Sequence, residues 1–133
     1  MSECPFCEID HTSHPGVVAC NPYAFAVRDI NPVSPGHTLV IPRRHVGSFF
    51  ELTGEEQRAV MALVNQQHAV LQEETGMEDC NVGLNDGPLA GQTVPHCHVH
   101  IIPRFEGDVA DPRGGIRWVI PDKADYWGFK LES

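Results

Sequence analysis

Polar and apolar positions alternate through Val94-Pro95-His96-Cys97-His98-Val99-His100-Ile101-Ile102. A period of two marks a β-strand, because successive side chains leave a strand on opposite faces. The pattern predicts Cys97, Val99 and Ile101 packed inward, with His96, His98 and His100 in a row on the other face, their roots about 6.6–7 Å apart. A helix would scatter the same residues around its circumference. A core cannot easily satisfy three ring N–H groups in a row, and a solvated face gains little from three histidines, so the row points to a working site.

The rest of the chain supplies the frame. Val17-Val18-Ala19-Cys20 and Ala24-Phe25-Ala26-Val27-Arg28 read as two short strands broken at Asn21-Pro22. His37-Thr38-Leu39-Val40-Ile41-Pro42 is a third strand, rich in β-branched residues. Residues 53–75 are predicted to be the one long helix. Thr53 and Glu56 match the capping-box spacing; Val60, Leu63, Val64, Gln67 and Leu71 follow the helical period with one polar interruption, and Gly76 is placed to end it. Residues 80–85 read as a fourth strand, residues 86–91 as a loop with three breakers, and residues 96–103 as the fifth strand. From Gly107 onward the pattern is irregular and reads as a tail over the sheet. Short neighbouring strands and one crossing helix predict an antiparallel α+β domain rather than alternating βαβ units.

Composition narrows the function classes. With 133 residues and 41% hydrophobic content, the chain is expected to form one domain, residues 1–133, with a core over 1–106 and a tail over 107–133. No apolar run approaches the roughly 20 residues of a membrane span, and Met1-Ser2-Glu3-Cys4-Pro5 lacks the basic and apolar regions of a secretory signal. A cytoplasmic location with no membrane partner is the expectation. The net charge of −9, from 9 basic and 18 acidic residues, leaves little from which to build a basic face for DNA or RNA. A small polyanion would have to be held by local neutral donors. Five cysteines do not suggest a disulfide framework; Cys20, Cys80 and Cys97 are expected to be small buried apolar residues.

Three constellations carry candidate chemistry. A neutral imidazole whose one nitrogen donates to a backbone carbonyl presents the other as a nucleophile, and His98 has an imidazole on either side. The competing readings are a metal site and an incidental surface strand. Three imidazoles in a row span too far for one zinc ion, so even a metal bound by one leaves another unused. Just upstream, Asn85-Asp86-Gly87-Pro88-Leu89-Ala90-Gly91-Gln92-Thr93 has glycines that let backbone amides approach an anion, and Gln92 and Thr93 add neutral donors. Cys4-Pro5-Phe6-Cys7 has the spacing of a zinc knuckle, though a lone CxxC also fits a redox pair, which would be expected near a βαβ pattern, or chance. Two more ligands are needed, and His11, His14, His37, His45, His68 and His96 are all candidates that spacing does not separate. His68 is expected to face solvent or pair locally, and Trp118, Tyr126 and Trp127 to pack the tail rather than form a stacking platform.

His96-Cys97-His98-Val99-His100-Ile101-Ile102 resembles the signature of the histidine-triad (HIT) nucleotide-binding superfamily. Pro35-Gly36-His37-Thr38-Leu39-Val40-Ile41-Pro42 with His45, the segment from Asn85 through Gly91-Gln92-Thr93-Val94, and Pro103-Arg104 resemble its other motifs, and Arg113-Gly114-Gly115-Ile116-Arg117 looks like bacterial members. The resemblance implies a five-stranded antiparallel sheet with one long helix and a short N-terminal helix, forming a ten-stranded sheet across a homodimer. It implies hydrolysis at the α-phosphorus of dinucleoside polyphosphates, such as diadenosine tetraphosphate, or of nucleoside phosphoramidates. His98 would be the nucleophile, His100 the donor to phosphate or leaving group, and His37 the residue that orients them. Asn85, Gln92 and Thr93 would hold phosphate oxygens, Asp29 the ribose of a purine nucleotide, and Ile30 would flank the base. One structural zinc per chain would be held by Cys4, Cys7, His45 and His96. The uridylyltransferase branch has glutamine at the third histidine, so His100 favours a hydrolase; the alternatives are a nucleotidyltransferase, or a nucleotide-binding dimer with incidental turnover.

Overall fold

A computed structural model describes residues 4–127. Five strands run β1 (Val17–Cys20), β2 (Ala24–Arg28), β3 (Thr38–Pro42), β4 (Asp79–Gly83) and β5 (Val99–Arg104), with one long helix, α1 (Gly54–Thr75), between β3 and β4. They form a single sheet in the order β1-β2-β3-β5-β4, every neighbouring pair antiparallel. The sequence expectation of an antiparallel α+β sheet with one long helix is met.

α1 crosses one face of the sheet. Val60, Leu63, Val64 and Leu71 press on Ala24, Ala26, Val40, Val99 and Ile101, all buried. The other face of β2 and β3 carries a second buried set, Phe25, Val27, Leu39 and Ile41, covered by Phe6, Ile9 and Val17. Burial on both faces explains why β2 and β3 read as unbroken apolar runs. Gln67, the polar interruption on the helix stripe, is 2% exposed. Its Oε1 accepts a 2.9 Å hydrogen bond from Arg28 Nη1, which also donates to Thr38, so the buried amide has its partner.

The helix begins where the capping box placed it. Thr53 Oγ1 accepts from the Glu56 amide, Glu56 Oε1 accepts from the Thr53 amide, and Gly76 closes the other end with φ of 74°. Glu56 also takes two hydrogen bonds from Arg44, at 2.8 and 2.9 Å, so helix start and β3 exit are tied together. Those bonds from Arg44 hold the Glu56 carboxyl at about 2. The folded value lies below the unfolded one, so this contribution is present above about pH 4.5 and is lost as pH falls toward 2. Thr53→Ala is expected to cost about 1 kcal/mol and lower the thermal midpoint by a few degrees in calorimetry.

Several expectations are corrected. Residues 5–8 and 11–13 form turns instead of a short N-terminal helix. Pro5 lacks an amide hydrogen, and Asp10 spends its carbonyl and carboxylate on the amides of Ser13, His14 and Thr12, which favours turns over a continuing helix. β5 begins at Val99, not at His96. Pro95 cannot donate to a ladder, and the Cys97 amide donates to Val46 O at 2.7 Å outside the sheet. Cys97, Val99 and Ile101 are nonetheless buried in alternation with half-buried His98 and His100. Of the three cysteines expected inside, only Cys97 is fully buried; Cys80 is intermediate and Cys20, on edge strand β1, is exposed.

Beyond β5, residues 115–119 and 121–123 form 3-10 turns. The tail is tied to itself: Trp118 Nε1 donates to Arg113 O, and the Arg113 and Arg117 guanidinium groups lie over the rings of Trp127 and Tyr126. Its reach onto the sheet is at β4, where Ile116 lies over Gly83. Residues 128–133 of the expected tail, and Met1, Ser2 and Glu3, lie outside the described residues. No described helix is long and apolar enough to cross a membrane.

Candidate active site and metal-binding cluster

Strand register places His100 opposite Leu39 on β3 and Gly83 on β4. His100 therefore emerges on the face away from α1, beside a position with no side chain. His98 sits two residues earlier, where the chain has just left the Val46 contact. Its Nδ1 donates to the His96 carbonyl oxygen at 2.8 Å. That bond assigns the ring proton to Nδ1 and leaves the Nε2 lone pair unprotonated in the neutral ring. Phe6 packs edge-on against this imidazole with ring centres 4.9 Å apart, and His100 lies 5.0 Å away. His98 belongs to neither group of possible metal ligands among the described residues.

A second chain of bonds fixes the direction of a proton. The Val33 amide donates to His37 Nδ1 at 3.0 Å, so the His37 proton resides on Nε2. Nε2 of His37 lies 2.9 Å from His100 Nδ1 and donates to it. The proton of His100 is thereby assigned to its own Nε2, as a donor. The Asp29 carboxylate stands 3.5 Å from His37 Nε2 and accepts the Asn31 amide. Burial pushes the pKa of His37 below the ordinary histidine value, with Asp29 opposing in part. Burial, then the neighbouring His98 and His37, pushes His100 down to about 4. Both rings are neutral at pH 7, so His100 offers a hydrogen bond rather than a fixed charge.

This pair makes stability pH-dependent in a defined direction. The unfolded chain takes up protons at about pH 6.5 that the folded pair refuses until lower pH. Folding stability is therefore expected to fall as pH drops from about 6.5 toward about 4. Thermal midpoints measured across that window check the sign; a midpoint that rises on acidification contradicts a neutral pair.

The third group brings Cys4, Cys7, His45 and His96 together, with one ligand atom of each within 4.8 Å of all the others. His96 is 1% exposed. Its Nε2 donates to Pro42 O at 2.8 Å, which leaves Nδ1 as a lone pair aimed at the other three. Cys4 Sγ, Cys7 Sγ and His45 Nδ1 lie 3.4, 3.5 and 3.2 Å from that nitrogen, and Cys7 Sγ lies 3.1 Å from His45 Nδ1. A tetrahedral zinc ion with bonds of about 2.0–2.3 Å needs ligand atoms roughly 3.3–3.8 Å apart. The 3.4 and 3.5 Å separations fall in that range and the 3.1 and 3.2 Å ones just below it, and the two-sulfur, two-nitrogen donor set is one that zinc takes. The cluster selects His45 and His96 from the six histidines that spacing left open; His11, His14, His37 and His68 are not in it.

The glycine-rich loop projects from the body with no buried residue from Asn85 to Thr93. Asn85 and Thr93 are exposed and make no hydrogen bond among the described residues, so both are open to a ligand. Gln92 is not. Both of its Nε2 protons are donated to backbone, to Gly47 O at 2.9 Å and Val94 O at 3.1 Å. Its Oε1 accepts the Gly87 amide at 2.7 Å. In this arrangement both Gln92 amide protons are already engaged by backbone. Ile30 is 85% exposed beside Asp29, presenting an apolar face at the site margin. Sequence reasoning missed Phe6, hidden inside the cysteine pair, and Asp86, whose carboxylate accepts from Ser48 Oγ and the Phe49 amide. The position of Asp86 after Asn85 at the loop's start was the one available signal.

Fold and site together define a histidine-triad domain. The HIT domain family model matches residues 12–107, and the chain belongs to that family. It is 41% identical over 106 residues to a HIT-like protein of Methanocaldococcus jannaschii, covering 79% of this chain and 81% of that one. It is 36% identical over 107 residues to the bis(5'-adenosyl)-triphosphatase of Saccharomyces cerevisiae, covering 79% of this chain. The matched stretch there is 48% of the yeast protein, so the chain spans about half the length of that relative. The crystal structure of a HIT family protein from Bacillus anthracis superposes with a TM-score of 0.74 at 29% identity, covering 98% of this chain and 96% of that one.

Proposed function

We propose that the protein is a nucleotide hydrolase that cleaves at the α-phosphorus of dinucleoside polyphosphates or nucleoside phosphoramidates through a nucleotidyl-histidine. One observation carries the reading: the bond from His98 Nδ1 to the His96 carbonyl leaves Nε2 as an uncoordinated lone pair beside a neutral donor. In the first step Nε2 bonds to phosphorus as the bond to the leaving phosphate oxygen or amine nitrogen breaks. His100 Nε2–H stabilises the phosphoryl oxygen or the departing atom. In the second step the oxygen of a water bonds to phosphorus and gives up one proton to solvent, the nitrogen–phosphorus bond breaks, and a nucleoside monophosphate departs with His98 restored. His37 holds His100 in its donor form. Thr93 and Asn85 take the non-bridging oxygens, Asp29 the ribose hydroxyls, and Ile30 flanks a purine base. Neutral donors in place of cations suit a site that must both bind and release a polyanion.

The yeast relative named for triphosphatase activity supports the substrate class. Cys4, Cys7, His45 and His96 would hold one structural zinc per chain, as in zinc-bearing bacterial members. That ion would pin the N-terminal turn to β3 and to the approach of β5, with no bond to the reacting phosphorus. The working unit would be a cytoplasmic homodimer joined through α1 and the adjoining sheet edge into ten strands.

The deciding experiment is intact-mass and peptide mass spectrometry of protein quenched during incubation with diadenosine triphosphate, diadenosine tetraphosphate and an adenosine phosphoramidate. An added nucleotidyl mass on His98 is the expected result. Turnover with the adduct on another residue, or with none at any quench time, would overturn the mechanism.

A further inference from the structure

The segment Asn85 to Thr93 poses a mechanical problem. None of its residues is buried, and Leu89 is fully exposed. An open hollow of about 450 Å³ lies between Asp86, Gly87, Gln92 and Thr93 of the loop and Gly47 and Ser48. Apolar packing therefore does not set the loop's position, yet a phosphate-binding loop has to be held to within about half an ångström. Hydrogen bonds have to supply that constraint.

Gln92 supplies the largest single share. Its amide joins three backbone segments: Gly87 at the loop's start, Gly47 on the β3-to-α1 connection, and Val94 at the approach to the histidines. The main chain repeats the closure, since the Ala90 and Gln92 amides both donate to Gly87 O. Gly87 has φ of 97° and Gly91 of 96°, values that glycine adopts without strain, so the loop keeps this shape only while its ends stay joined. Asp86 adds a second tie, to Ser48 and Phe49. Thr93 follows Gln92 directly, and its hydroxyl and amide make no bond among the described residues. Whatever fixes Gln92 fixes the direction of those two donors.

We infer that Gln92 is the positioning residue of the phosphate loop: it touches no phosphate, and it sets the geometry in which Thr93 and the loop amides meet one. The inference rests on the nucleotide-hydrolase reading for the identity of the ligand, and on the three hydrogen bonds for the clamp. A neutral amide is required, because the side chain must donate twice and accept once.

Two measurements test it on the full chain. The first is amide hydrogen exchange without nucleotide, which reads the clamp alone. The Gly87 amide is expected to be protected in the native chain despite its exposed loop, and at least about tenfold faster to exchange in Gln92→Met, which keeps the volume and removes all three bonds. The second is calorimetric titration with AMP. Its dissociation constant is expected to rise about tenfold in Gln92→Met, since the loop must then be ordered on binding, with kcat/KM falling at least as far. A Gly87 amide that exchanges freely in the native chain would overturn the proposal without recourse to any variant. So would weakened AMP binding in Gln92→Met with Gly87 exchange unchanged, which would assign Gln92 to the phosphate itself. A native protein that ignores AMP would count against the nucleotide reading, while the exchange result still decides the clamp.

Discussion

His98→Ala is expected to lower turnover by at least about 10⁴-fold, the scale on which loss of a covalent nucleophile acts in other enzymes. The fold should survive. His98 is half-buried, its one hydrogen bond goes to a backbone carbonyl of its own segment, and its ring contacts are edge-on to Phe6 and His100. AMP affinity should change by less than about tenfold, because loop and ribose contacts remain. That separation is informative. A residue that only binds would raise the dissociation constant, and a residue that only supports the fold would lower the thermal midpoint. A nucleophile does neither and removes the adduct seen by mass spectrometry. Wild-type rates in His98→Ala on every cleavable nucleotide would end the covalent mechanism.

The second large effect concerns the metal cluster. Protein purified without chelator is expected to carry about one zinc per chain by elemental analysis. Cys4→Ser is expected to lower that content and to lower the thermal midpoint by about 10 °C or more, since binding energy at a structural site is folding energy. Cys4 is 7% exposed and His96 1%, whereas Cys7 and His45 are exposed, so the variant strips a ligand from the cluster's buried side, and the serine oxygen is a poor substitute for a thiolate. The ion would join chain segments 92 residues apart, so its removal frees the N-terminal turn from β5. The rate measured well below the midpoint should change by less than about tenfold, because no reacting atom is bound to the metal. The cluster could be felt at the nucleophile by two routes: Phe6, which lies between Cys4 and Cys7 and packs on His98, and the carbonyl of the ligand His96, which accepts from His98 Nδ1. A collapse of activity at unchanged thermal midpoint would show that the ion serves chemistry rather than the fold.

Features with a local cause and a strong residue signal were legible in the chain, although the turns set by Pro5 and Asp10 were not. Thr53 and Glu56 meet within one helical turn, so their box and the start of α1 could be read directly, as could Gly76 at the other end. Alternation fixed which of Cys97, His98, Val99, His100 and Ile101 face inward, because the period of an extended chain holds even where the ladder has not begun. Family resemblance, more than spacing, named His45 and His96 as partners for the cysteines. Tertiary structure decided what depends on residues remote in the chain. The buried Gln67 needed Arg28 from β2, 39 residues away, to be satisfied. The donor form of His100 follows from a proton order running Val33, His37, His100, whose last link spans 63 residues. The inward turn of Gln92 depends on the carbonyl of Gly47, 45 residues upstream. A side chain's type limits the bonds it can make, and only packing decides which partner comes within reach; hydrogen bonds are directional and short, so that choice is written in three dimensions.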